Sequence, residues 1–153
     1  MSIPDSESLA WGFFDAVDRR DVDRAGSFLA QNAEWCFVGS ICMRGSEAVK
    51  QAMQAHFATF PDHQEELTNL IATEEWVAVE YVGRGTQQAP FDTPYGQIPL
   101  TGRRVELPSC DVYQIKNGKI VRIHTYFDWA SLLQQLGVMP QGLLKASARA
   151  GKA

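Results

Sequence analysis

The stretch from Arg103 to Phe127 constrains the fold of this chain more than any other. It reads as two long strands, Arg103 to Lys116 and Lys119 to Phe127, around a turn at Asn117-Gly118. Side chains alternate with a period of two, so a one-residue slip in pairing exchanges the two faces completely. A two-residue turn places Asp111 across from His124, on a face with Tyr113, Ile115, Ile120, Arg122, Tyr126 and Asp128. A three-residue loop, with Gly118 in the left-handed position of a bulge, shifts the pairing by one. Asp111 then shares its face with Val105, Leu107, Ser109, Tyr113, Ile115, Val121, Ile123, Thr125 and Phe127, and His124 points away. The second arrangement separates apolar from polar residues better, and burial selects it. The tight turn stays open as an alternative, because Asn-Gly is itself a signal for one.

The bulged register puts a carboxyl group on an apolar, concave face. Ionising a lone buried carboxylate is costly, so its pKa rises unless donors reach it. Tyr113, Ser109 and Thr125 are the polar neighbours on that face, and Tyr81 can reach it from the preceding strand. A carboxylic acid held neutral in a pocket can donate a hydrogen bond to a substrate oxygen or carry a proton. The bland alternative is that Asp111 is satisfied by Tyr or Trp donors and only fixes the core.

The rest of the chain supplies helices. Leu9, Phe13 and Val17 recur every four residues beside Ala10 and Phe14, a wide apolar stripe that Asp5 or Ser6 can cap. Val22, Ala25, Phe28 and Leu29 share a face in a second helix capped by Asp21. A short strand follows at Glu34 to Gly39. Ser46 opens a third helix bearing Val49, Ala52, Met53, His56, Phe57 and Phe60, which Pro61 ends. Two strands over residues 65–73 and 75–85 pair antiparallel. A loop of about 17 residues, Thr86 to Gly102, is long enough to be functional or mobile, and Phe91 and Tyr95 can cover a pocket mouth. Asp128 caps a last short helix, Trp129 to Leu136, stopped by Gly137 and Pro140. Helices first and a strand meander after them predict an α+β fold, a curved antiparallel sheet with helices on one face and a pocket between. Residues 1–140 are expected to form a single domain and 141–153 a flexible tail.

Composition narrows the function classes. The net charge is -4 and no basic block is longer than Arg-Arg, which argues against a nucleic-acid partner. No run approaches the ~18 apolar residues of a membrane span. The N-terminal residues lack the basic and apolar regions of a secretory signal, and the three cysteines, Cys36, Cys42 and Cys110, lack a metal-ligand spacing. They read as reduced core residues of a cytoplasmic protein. His56 on the apolar stripe can reach the pocket as a base, although packing against Phe57 and Phe60 is the simpler reading. His63, in the turn after Pro61, is expected to be solvated. His56, Asp62 and His63 make no metal signature.

Residues 99–120, "PLTGRRVELPSCDVYQIKNGKI", and "HTYFDWASLLQQLG", with "FPD" after the third helix, resemble the SnoaL-like polyketide cyclases. These belong to the nuclear transport factor 2-like superfamily with ketosteroid isomerases and limonene epoxide hydrolases. The resemblance covers roughly residues 8 to 140 and implies a cone-shaped α+β barrel of the cystatin-like kind, with an internal ligand pocket and a homodimer through the outer sheet face. It implies an oxyanion-binding acid at Asp111, as in the isomerases. Other family positions are substituted. The cyclase Asp falls at Thr125, the isomerase Tyr near Phe13 and its base near Phe37. The epoxide hydrolase set falls at Tyr81, Gly83 and Thr125.

Two function classes follow. One is a cofactor-free enzyme doing acid/base chemistry (cyclisation, isomerisation or dehydration) on a small hydrophobic, oxygen-bearing molecule. Asp111, Tyr81 and Tyr113 would be its catalytic groups, and Phe13, Trp35, Phe37, His56, Ser109, Ile123 and Thr125 its substrate wall, with no metal. The other is a binding or dimerisation module of the same fold. An epoxide hydrolase is a third reading.

Overall fold

Strand alternation over the middle of the chain and helical spacing at its ends set the order of elements. The computed structural model describes residues 1–139. It contains α1 (Ile3–Asp18), α2 (Val22–Ser27), β1 (Leu29–Phe37), β2 (Cys42–Arg44), α3 (Ser46–Thr59), β3 (Gln64–Ala72), β4 (Trp76–Thr86), β5 (Phe91–Thr93), β6 (Gly96–Ile98), β7 (Arg104–Lys116), β8 (Lys119–Phe127) and α4 (Trp129–Gln135). The tail expected over 141–153 lies outside the described residues.

Six strands form one curved sheet in the order β2-β1-β8-β7-β4-β3, and β5 and β6 pair separately. The fold is α+β as expected, with an open sheet and no closed barrel. The antiparallel expectation holds for every pair in the large sheet except β1 and β8, which run parallel. The reversals from β3 through β4 and β7 to β8 bring the last strand back beside β1 in the same direction.

Local chemistry explains where elements start. Ser2 caps α1 in a reciprocal box with Asp5, one turn earlier than the cap expected at Asp5 or Ser6. Ser6 is instead buried, and its hydroxyl donates to the backbone oxygens of Ile3 and Thr73. Asp21 and Asp128 cap α2 and α4 as read. The second helix stops at Ser27, because Leu29 already pairs with Ile120 in the sheet.

The central hairpin combines both turn alternatives. Asn117 and Gly118 both have positive φ, 51° and 72°, so the loop is the two-residue turn, with Ile115 opposite Ile120. A bulge at Val121 then shifts the register, so that Gln114 faces Arg122 and Asp111 faces Thr125. The expected pairing of Asp111 is present, but the three-residue loop is not its cause. Ile120, wholly buried, takes the inward place expected for Val121.

Two further expectations are corrected. Cys36 and Cys42 face each other across β1 and β2 and are joined in a disulfide rather than reduced. Cys110 remains free. The Thr86–Gly102 segment is not irregular throughout, since it contains the β5–β6 hairpin. Gln87, wholly buried, pins it: its amide donates to the oxygens of Ala89 (3.0 Å) and Pro99 (2.9 Å), and its oxygen accepts from the backbone and hydroxyl of Thr101.

Two apolar clusters result. The larger joins α1, α2 and α3 to the sheet through Phe13, Phe14, Trp35, Met53, Tyr113 and Ile123. The smaller joins Phe60, Ile98, Val105, Leu132, Leu133 and Leu136.

Candidate functional site

Residues from both clusters line a cavity of about 450 Å³. Strand register decides what it contains. Glu65 pairs with Gly83, Leu67 with Tyr81, Tyr81 with Ser109, and Ser109 with Phe127, so these residues share the concave face. Gly83 helps to create the space. A Cβ there would make only ordinary contacts, 3.7 Å to Tyr81 and 3.9 Å to the oxygen of Leu107.

Asp111 sits on this face at 5% exposure, in the layer behind the cavity wall. Three hydroxyls donate to it: Thr125 to Oδ1 at 2.6 Å, Tyr81 to Oδ1 at 3.3 Å and Tyr113 to Oδ2 at 3.4 Å. The indole N–H of Trp35 donates to the Thr125 hydroxyl at 2.7 Å, which leaves the Thr125 proton free to point at Asp111. Burial pushes the Asp111 carboxyl up to about 7, against the lowering effect of the three hydroxyls, and the charge of Glu65 adds to the rise. Burial and the Asp111 charge raise Tyr81 and Tyr113 well above the ordinary phenol value, so both stay protonated donors.

Of the residues expected to meet a ligand, Tyr81, Trp35, Phe37, His56, Ser109 and Thr125 line the cavity. Trp35 and Phe37 stack at 5.8 Å with their planes 17° apart. Asp111, Tyr113, Phe13 and Ile123 are buried behind them. Phe13 packs edge-on against Trp35 and Tyr113 within the core.

His63 is not solvated as expected, but 7% exposed and on the cavity wall. Its backbone oxygen accepts from Arg20 at 2.7 Å, which draws the turn inward, and its ring packs on Phe57. His63 Nε2 lies 3.1 Å from Glu65 Oε1, and its Nδ1 lies 3.1 Å from His56 Nε2. Glu65 went unrecognised from sequence, although alternation in "QEELTNL" places it on the face of Leu67. Burial raises its carboxyl and His63 lowers it. The apolar surroundings and His63 depress His56 below the ordinary imidazole value. His56 as a residue is exposed, so the depression is smaller than full burial would give. Trp129, also on the wall, has an indole N–H without a partner among the described residues. Among these residues no group of three or more His, Cys, Asp or Glu is arranged to hold a metal ion. No described helix is long and apolar enough to cross a membrane.

Known structures share this architecture. TsrD from Streptomyces laurentii superposes with a TM-score of 0.77 at 22% identity, covering 91% of this chain and 99% of its own. An LEH-like epoxide hydrolase from M. tuberculosis gives 0.70 at 17% identity, covering 96% and 98%. A protein of ketosteroid isomerase-like fold from Catenulispora acidiphila, solved with trimethylamine, gives 0.70 at 16% identity, covering 86% and 93%. At such identities the likeness is one of fold. A search of curated proteins by sequence finds no match. The sequence pattern of the SnoaL-like polyketide cyclases matches residues 8–136, from the first helix through the hairpin to the last helix that encloses the cavity, and the chain belongs to that family.

Proposed function

We propose that this protein is a cofactor-free enzyme that moves protons on a small, hydrophobic, carbonyl-bearing substrate, in a cyclisation, isomerisation or dehydration. Family membership supports a small-molecule activity of the cyclase, hydroxylase or isomerase type. The observation that carries the finer reading is the buried Asp111 carboxyl, raised to about 7 and reached by three hydroxyls, two of which stand in the cavity wall. A group balanced between its two protonation states near neutral pH can both give and take a proton. Tyr81 and Thr125 connect it to the cavity: each can donate to a substrate oxygen while Asp111 follows the charge behind it. The apolar wall of Trp35, Phe37, Phe57 and Phe60 suits a flat hydrophobic skeleton.

One observation favours a second reading, a binding module. Asp111 lies behind the wall and its donors already serve it, as in a carboxylate that only fixes the core. Deuterium wash-in next to the carbonyl of 2-tetralone, an enolisable bicyclic probe, separates the two. The enzyme reading expects exchange well above background in wild-type protein and a loss of roughly 10²-fold in Asp111→Asn. Exchange at background in wild-type protein would leave the binding module, and equal exchange above background in both proteins would take Asp111 out of the chemistry.

A further inference from the structure

The cavity holds a second set of titratable groups that the Asp111 reading does not use. His56, His63 and Glu65 all line it, and they are joined in series at 3.1 Å and 3.1 Å. With Glu65 ionised and both imidazoles neutral, hydrogen bonding allows one arrangement of their protons. The carboxylate accepts, so His63 carries its proton on Nε2. His63 Nδ1 must then accept, so His56 carries its proton on Nε2. The lone pair left over is at His56 Nδ1. His63 and Glu65 are held tightly, with side chains 9% and 8% exposed, whereas His56 is open to the cavity. The backbone of this turn is pinned twice more, by Arg20 on the His63 oxygen and by Asp18 on the Glu65 N–H at 2.6 Å.

We propose that Glu65, His63 and His56 form one proton relay, in which His56 Nδ1 takes a C–H proton from the carbonyl-bearing substrate and His63 and Glu65 position and polarise it. The inference deepens the acid/base reading of the same cavity and rests on it. In the step, the C–H proton passes to His56 Nδ1 and the C–H electron pair moves through the carbonyl carbon to its oxygen, giving an enolate. Tyr81 donates a hydrogen bond to that oxygen. His56 then returns a proton to carbon, either the same atom or one conjugated to it. Atoms and electrons balance without another reactant. While His56 holds the extra proton, its Nε2 proton can pass to His63 and the His63 Nε2 proton to Glu65. The carboxyl of Glu65 is raised by its burial, which suits it to receive that proton. Relay and Asp111 share one field, since the charge of Glu65 contributes to raising both Tyr81 and Asp111. The other charged or titratable groups around the relay are Asp18, Arg20, Arg84 and Asp92.

The test is deuterium wash-in on 2-tetralone across pH with wild type, His56→Gln, Glu65→Gln and Asp111→Asn. His56→Gln, at an exposed position, should lose roughly 10²-fold in exchange. Glu65→Gln removes the anion that supports the relay, so exchange should fall and the acid limb of its pH profile should move down by on the order of one pH unit. A purely structural Glu65 would leave that limb in place. Loss in Asp111→Asn with wild-type exchange in His56→Gln would overturn the relay and leave the Asp111 reading standing. No exchange in wild type would overturn both. Imidazole nitrogen NMR of the free protein gives an arm independent of turnover. The relay requires His56 and His63 as Nε2–H tautomers near neutral pH, with the His56 titration displaced in Glu65→Gln. An Nδ1–H tautomer at His56, or an unmoved titration, would overturn it.

Discussion

Asp111 owes its character to the order in which donors reach it. Trp35 donates to Thr125 and Thr125 donates to Asp111, so two residues far apart in sequence aim one proton at one carboxyl oxygen. Desolvation still prevails and pushes the carboxyl up from 3.8 to about 7. The consequence for stability has a definite sign. Between these values the unfolded chain has released its proton while the folded chain keeps it, so this group's stabilisation is full below about pH 4 and is lost as pH rises through about 7. Asp111→Asn removes that slope. From pH 5 to pH 8, urea unfolding should show wild type losing roughly 3 kcal/mol relative to the variant. Parallel pH dependences would mean that Asp111 is not a desolvated acid. This residue was legible because a carboxylate amid Val, Tyr and Ile violates the strand's own pattern. Glu65 was not singled out, because "QEELTNL" is polar enough that one more glutamate attracts no notice. Only the contact with His63 gives it meaning, and that contact depends on Arg20 drawing the turn inward.

At the scale of elements, the hairpin shows two local preferences acting at once. Asn117-Gly118 takes the tight turn its residues favour, and the bulge at Val121 supplies the slip that burial of Ile123 and Thr125 demands. Sequence separated the faces correctly except that Ile120 and not Val121 turns inward, and it put the irregularity in the wrong place, since periodicity reports which side faces inward and not where the extra residue sits. The β5–β6 hairpin was hidden for a different reason. Its strands are short, and the buried side chain of Gln87 ties down the backbone on either side of them. Gln87→Ala should therefore free this hairpin, at a cost of about 2 kcal/mol for buried backbone groups left unpaired. Hydrogen exchange should quicken over residues 91–98 while β7 and β8 keep their protection. Unchanged exchange there would show that Phe91 and Ile98 hold the hairpin by packing alone.

For the whole molecule, the order of helices and strands was enough to read an α+β sheet with helices on one face. The parallel pairing of β1 with β8 was not, because it joins strands more than eighty residues apart by position in the sheet, about which side-chain alternation is silent. The site shares this difficulty. Its parts come from α3, β1, β3, β4, β7 and β8, and the sheet's curvature brings them around one cavity between two apolar clusters. Apolar residues elsewhere in the chain supply the burial that perturbs Asp111, so core and site are one construction. The most direct test of this account is the pKa of Asp111, followed by carboxyl-carbon NMR across pH. The account predicts a midpoint near 7, raised further in Thr125→Val by loss of the shortest hydrogen bond. A midpoint at or below the ordinary ~4 would contradict it, and would show a carboxylate held ionised by its hydroxyls rather than an acid poised to act.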